Sequence, residues 1–147
     1  MDLSAMDLSA AGLRAQRTRM TLIASNLANV DTTSARQESL IGADGQSYVR
    51  HTPYRRQIAV LVEGPGGAPS VRVTEDASDL RAERRPEHPH AVPAASGEPD
   101  AGTVYFPNVN PMVETVDLIA ASRAYEANVT AMEVTKSMHQ VALRILG

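Results

Sequence analysis

Residues 111–147 read PMVETVDLIAASRAYEANVTAMEVTKSMHQVALRILG, and the spacing within this stretch decides the fold. Asn110 stands where an N-cap belongs, and Pro111 stands at a first helical position, where a missing N–H costs nothing. Glu114 and Asp117 follow near the positive end of the helix dipole, while Lys136, His139 and Arg144 lie towards its negative end. A helix over 111–146 would run about 54 Å at about 1.5 Å per residue. A chain of 147 residues cannot wrap a compact core around such a rod, so an elongated shape is expected.

Along this helix Val113, Ala120, Ala127, Val134 and Val141 recur seven apart, and Asp117, Ala124, Ala131, Met138 and Ile145 each follow four residues later. Apart from Asp117 this predicts a coiled-coil seam over almost the whole helix. Its middle is Ala, which lets a neighbouring backbone come close. A second row, Leu118, Tyr125, Met132 and Leu146, with Val129 and Leu143 beside it, lies on another face. A hairpin with one other helix would satisfy one apolar face. Two faces demand cover from more than one side. A buried central helix in a bundle is the plainer explanation of such a pattern, but the other helices of a bundle are missing. Oligomerisation accounts for it better.

Outward from the tail, the helix breakers partition the chain. All nine Pro fall between Pro53 and Pro111, and seven of the nine Gly between Gly42 and Gly102. The head, to about Val30, is helix-permissive. Met6, Leu13, Met20 and Leu27 recur at intervals of seven there, joined by Ile23 and Val30, and Gly12 weakens the helix by about 1 kcal/mol relative to Ala. The opening Met1–Ala5 is repeated as Met6–Ala10, which reads as a local duplication or an ambiguous start codon. In the middle, residues 57–62 and 70–74 read as strands joined by a hairpin loop over Glu63–Pro69, with further short strands at Tyr48–Arg50 and Thr103–Phe106. Residues 85–102, carrying Pro86, Pro89, Pro93 and Pro99, read as an extended, mobile loop. The expected fold is mainly α with a small β insertion. Elongated, antiparallel, coiled-coil-like N- and C-terminal helices flank a short β-hairpin domain, divided as an N-terminal helix over 1–33, a central outward-facing segment over 34–106 and a C-terminal helix over 107–147.

Composition agrees. Hydrophobic residues make up 43% of the chain, but 22 of them are Ala, and Leu, Ile, Val and Phe together number only 31. That is barely above the share, roughly 20%, at which a chain begins to look disordered. One Phe, four Tyr and no Trp do not line a deep pocket. The absence of Cys excludes disulfides, thiolate metal sites and a cysteine nucleophile. A net charge of −3 gives no footprint for nucleic acid, and no apolar run approaches the roughly 20 residues of a membrane span. Asp2 and Asp7 occupy the place of the basic segment of a secretory signal.

Candidate chemistry is thin. His88 and His90 sit in a Pro-rich loop without a further ligand spaced for tetrahedral zinc, and read as solvated. His51 precedes Thr52-Pro53 at a loop, and His139 sits near a helix C-terminus. Gly64-Pro65-Gly66-Gly67 lacks the Lys-Ser/Thr of a phosphate loop, and no Ser lies in a nucleophile elbow. Arg81, Arg84 and Arg85, with Glu83 among them, read as solvated surface. Neither an enzyme nor a cofactor or metal site is expected.

The two ends resemble a known family. Ser9-Ala10-Ala11-Gly12-Leu13-Arg14-Ala15-Gln16-Arg17-Thr18-Arg19-Met20, running on through Ile23 to Thr32, is similar to the N-terminal signature of bacterial flagellar rod and hook proteins. Pro107-Asn108-Val109-Asn110 and Val116 to Val129 resemble the C-terminal signature of that family's proximal rod members. Thr52-Pro53-Tyr54-Arg55-Arg56 resembles their sequence just before the β insertion. The middle departs from the family pattern, where Arg85–His90 leads into an Ala/Pro-rich extension through Gly102.

The resemblance implies a structural subunit of the proximal rod of the flagellar basal body, or alternatively another axial flagellar protein of the rod or hook. Its terminal helices would line the inner tube, with the central segment facing outward, and the assembled rod would carry motor torque across the periplasm to the hook. It implies exit through the flagellar type III export apparatus without a cleaved signal. The implied partners are proximal and distal rod subunits, an export-gate adaptor protein and a rod-capping muramidase. The residues expected to meet neighbours are Met6, Leu13, Met20, Ile23, Asn26, Leu27 and Asn29 on the first helix. On the second they are Val113, Leu118, Ala120, Ala124, Tyr125, Ala127, Asn128, Ala131, Val134, Met138, Val141 and Ile145. Asn26, Asn29 and Asn128 are either caps and exposed helix surface or buried amides that fix register between subunits.

Overall fold

A computed structural model of the chain describes residues 5–42, 45, 47–64, 67–94 and 97–146. The first four residues of the repeat, Pro65 and Gly66 of the hairpin loop, Ala95 and Ser96 of the Pro-rich segment, and the side chain of Leu146 in the second helical row lie outside the described residues. Helix α1 spans Ala5–Ala28 and α2 spans Pro111–Leu146. Between them run β1 (Arg36–Ile41), β2 (Ser47–Thr52), β3 (Gln57–Glu63), β4 (Pro69–Glu75), β5 (Arg81–Arg84) and β6 (Thr103–Phe106). The strands pair as β1 with β2, β3 with β4 and β5 with β6, each a two-stranded sheet. Helices therefore occupy the breaker-poor ends and strands the breaker-rich middle, as the partition of Pro and Gly requires.

The chain divides into two compact units. The first comprises 1–24, 57–74 and 112–147, and the second 25–56 and 75–111. In the first unit α1 contributes the buried Ala11, Ala15 and Ile23, and α2 contributes Ala121 and Glu114. The helices meet where Arg19 Nη2 lies 3.1 Å from Asp117 Oδ1, and where a Cβ at Gly12 would stand 3.1 Å from Asn128 Nδ2. Gly12 is thus a point of close approach as well as a weak point of helix propensity. A hollow of about 50 Å³ between α1 and the β3–β4 pair is lined by Ala15, Gln16, Arg19, Ala59, Leu61 and Val71.

The side of α2 that is covered is not the predicted seam. Glu114, Leu118, Ala121, Tyr125, Asn128, Met132 and Thr135 are buried or half-buried, in alternating steps of four and three. Val113, Ala120, Ala127, Val134 and Val141 are all exposed, as are Ala131, Met138 and Ile145, leaving only Asp117 and Ala124 of the predicted seam half-buried. The sequence pattern hid the covered row because three of its seven members, Glu114, Asn128 and Thr135, are polar. The second apolar row, Leu118, Tyr125 and Met132, belongs to it.

In the second unit β1 and β2 run antiparallel with Arg36 opposite Thr52 and Ile41 opposite Ser47. β5 and β6 run antiparallel with Arg81 opposite Phe106 and Arg84 opposite Thr103. Val92, Val104, Phe106, Pro107 and Val109 form the apolar centre of this unit. Neither β1 nor β5 was expected, since their polar side chains, Arg36-Gln37-Glu38-Ser39 and Arg81 to Arg84, carry little apolar alternation. Residues 85–94 and 97–102 are folded as hydrogen-bonded turns in place of an extended loop. Arg85 N–H donates to Gly102 O at 2.9 Å, Val92 N–H to Thr103 O at 2.9 Å and Gly102 N–H to Val92 O at 2.8 Å. Gly102 takes φ +80°, and a Cβ there would stand 3.3 Å from Pro86 Cβ, so the turn closes only on a glycine.

Candidate assembly surfaces

Helix α2 leaves eight of the ten residues of its predicted seam exposed, all but Asp117 and Ala124. Val113, Val116, Val134, Met138, Val141 and Ile145 are all exposed, Met138 at 68% and Ile145 at 78%. Ala120, Ala127 and Ala131 fill the middle of the row and are exposed too. An apolar row of this length left bare by its own chain is the kind of surface that marks an interaction site. Ala124 of the seam, and the predicted Leu118, Tyr125 and Asn128 beside it, are half-buried. On α1 the predicted stripe is divided. Met6 is exposed, Leu13, Met20, Leu27 and Asn29 are half-buried, and Ile23 and Asn26 are buried.

The three singled-out asparagines make contacts inside the chain. Asn26, 1% exposed, accepts a hydrogen bond from Tyr54 Oη at 2.9 Å, and Ser25 Oγ lies 3.4 Å from the same hydroxyl. Asn29 caps the end of α1. Its Nδ2 donates to Ser25 O at 2.8 Å and its Oδ1 accepts from Thr32 Oγ1 at 3.1 Å. Asn128 stands against Gly12. Asn29 thus acts as a cap and Asn26 is buried within its own chain, with partners that only the tertiary structure reveals.

The Tyr54-Arg55-Arg56 stretch is a polar junction of the second unit. Arg56 Nη1 lies 3.5 Å from Asp76 Oδ2, and Asp76 N–H donates to Arg56 O at 2.8 Å. Ser78 N–H donates to Asp76 Oδ1 at 2.9 Å, Arg55 Nη1 donates to Asp76 O at 3.3 Å, and Arg56 N–H donates to Asn108 Oδ1 at 3.2 Å. Asn108 Nδ2 donates to Ser78 Oγ at 2.6 Å. The Ser78 backbone and hydroxyl, then Arg56, hold the Asp76 carboxyl below its ordinary value of 3.8.

Further charges tie the turns to the strands. Arg50 reaches Glu98 at 3.1 Å and Asp100 at 3.5 Å, Tyr48 Oη donates to Glu98 at 2.9 Å and Tyr105 Oη to Asp100 at 2.8 Å. Burial and then Glu98 push the Tyr48 phenol up, and the hydrogen bond to Asp100 raises that of Tyr105. Arg81 and Arg85, read from sequence as plain solvated surface, place their guanidiniums 4.8 and 5.3 Å from the Phe106 ring centroid, with Glu83 bonded to both. His51, His88 and His90 gather in one cluster, which their separation in sequence concealed. Among the described residues no group of three or more His, Cys, Asp or Glu is arranged to hold a metal ion, and no helix is long and apolar enough to cross a membrane.

Two family descriptions match the chain, "Flagella basal body rod protein" over residues 6–36 and "Flagellar basal body rod FlgEFG protein C-terminal" over residues 100–145. Among curated proteins, the flagellar basal-body rod protein FlgC of Bacillus subtilis is 39% identical, covering 95% of this chain and 95% of its own length. That of Borreliella burgdorferi is 37% identical over 97% and 96%, and that of Aquifex aeolicus 33% identical over 93% and 91%.

Proposed function

The chain belongs to the flagellar basal-body rod protein FlgC family, and on that footing we propose that it builds the rod through the apolar face that α2 leaves uncovered. It is a structural subunit of the proximal rod of the flagellar basal body, and its relatives are rod proteins, not enzymes. The observation that supports the mechanism is the exposed row from Val113 to Ile145. Its Ala-rich middle admits a neighbouring helix at close range, and its Val, Met and Ile ends supply apolar area that water now covers.

In this reading function is packing. Each α2 is covered on its inner side by its own α1, the two pairing antiparallel through Arg19 with Asp117 and Gly12 with Asn128, and on its outer side by neighbouring subunits. Met6 and the half-buried Leu13, Met20 and Leu27 extend the contact surface, and torque spreads over many small contacts. The neighbours are proximal and distal rod subunits and an export-gate adaptor protein, with a rod-capping muramidase met during growth. The chain reaches the periplasmic rod through the flagellar type III export apparatus.

The test is to restore a strain lacking its own copy with a tagged chain and to image isolated basal bodies. Label at the proximal rod is expected. Label confined to the distal rod or hook would transfer the chain to another axial position and overturn the assignment.

A further inference from the structure

Three of the chain's four histidines meet in one place. His51 lies in β2, and His88 and His90 lie in the turn after β5. The His51 and His90 rings stack with centroids 4.4 Å apart and planes at 27°, and His88 meets His90 edge-on at 5.2 Å. All three residues are half-buried. The segment after α1 closes the stack, with Thr33 Oγ1 2.7 Å from His90 Nδ1 and Ser34 Oγ 2.8 Å from His51 Nδ1. His88 Nδ1 accepts the backbone N–H of His90 at 3.1 Å, and Ala91 N–H donates to His88 O at 3.0 Å.

The surroundings offer a proton on these rings little counter-charge. Across the β1–β2 pair His51 faces the neutral Gln37, and the adjacent Arg36 is turned to Glu75 at 3.7 Å. On β2, Arg50 is engaged by Glu98 and Asp100. After α1, Asp31 lies 3.9 Å from Arg81, while Thr33 and Ser34 bring only hydroxyls. On β5 and its turn, Glu83 is held by Arg81 at 3.2 Å and Arg85 at 2.6 Å, and Glu87 is exposed to solvent.

We propose that His51, His88 and His90 form a pH-sensitive clasp that holds the 85–92 turn against Thr33 and Ser34 while the rings are neutral and releases it when they take up protons. The chemistry is local. A backbone N–H can only donate, so His88 must present a lone pair at Nδ1, and an imidazolium has a proton on both nitrogens. Protonation therefore sets two donors face to face in the turn. It also brings like charges together across the 4.4 Å stack.

Burial, then His90 and His88, lower the affinity of His51 for a proton below its ordinary value of 6.5. With the folded value lowered, the opened state binds protons more readily. The clasp is whole above 6.5 and weakens as pH falls below it.

The test is amide hydrogen exchange on the full chain at about pH 7.5 and about pH 5.5, which bracket the imidazole range, corrected for intrinsic rates. Protection at His90, Val92 and Gly102 is expected to fall about tenfold or more at the lower pH, with β3 amides unchanged. Replacing both turn histidines, His88→Gln with His90→Gln, should abolish that pH dependence. Ring titrations of the unaltered chain by NMR give a readout independent of any variant. Loss of protection should follow the ring midpoints, with the exposed His139 as the signal from outside the stack. Protection that is equal at both pH values, an undiminished pH effect in the double variant, or amide loss at a midpoint matching none of the three rings would overturn the clasp.

Discussion

Tyr54 shows how a single side chain in the middle segment fixes the end of a helix more than twenty residues away. Its hydroxyl donates to the buried Asn26 and lies beside Ser25, both in the last turn of α1. Tyr54→Phe removes that hydrogen bond without changing ring volume, and should lower stability by about 1 kcal/mol in a denaturant melt. Unchanged stability would mean that Asn26 is satisfied elsewhere. Asp76 predicts a pH response of its own. Its folded value is depressed below 3.8, so its contribution is present above that pH and lost as pH falls through the folded value. Asp76→Asn should therefore reduce stability at neutral pH and flatten the acid limb of a plot of melting temperature against pH below 3.8. Identical acid limbs would remove Asp76 from the junction. Both residues lie in the Pro- and Gly-rich middle that the sequence marks out, but their partners, Asn26 and Arg56, are fixed only by the fold.

At the level of the helix, the two faces of α2 differ in what covers them: one is buried within the chain and the other is exposed. Ala121 is wholly buried and Ala127 is exposed, only six residues on. Ala121→Leu should overpack the covered face and cost about 1–3 kcal/mol in the isolated chain. Ala127→Leu should leave the melt within about 0.5 kcal/mol, as for other exposed sites, yet block rod assembly and motility while export continues. Normal swimming in the Ala127→Leu strain would remove the outer row from the interface. Gly12 supplies the matching test for α1. Gly12→Leu places a branched side chain where Asn128 already stands, and should destabilise the α1–α2 contact by about 1–3 kcal/mol. A melt indistinguishable from the parent would show that Asn128 turns aside. The heptad spacing was legible in the sequence on both faces. Which face turned inward was not, because Glu114, Asn128 and Thr135 made the covered row look polar.

For the whole molecule, every described side chain of α2 beyond Thr135 is exposed. In the isolated chain, amides in that final stretch should exchange rapidly compared with those of Val104 and Phe106, and should become protected in assembled rods. Equal exchange in the two preparations would deny the stretch a role in assembly. The amino-acid sequence by itself determined the placement of both helices and of four of the six strands, β2, β3, β4 and β6. Pro and Gly exclude helix from the middle, Asn110-Pro111 starts α2, and the ends repeat every seven residues. It also determined the shortage of large apolar residues, because composition is independent of conformation. Only the tertiary structure decided which side of α2 is spent on its own chain, which partners the buried amides take and that three distant histidines meet. Each of these depends on long-range contacts, and a periodic pattern states that a face is apolar without stating what covers it.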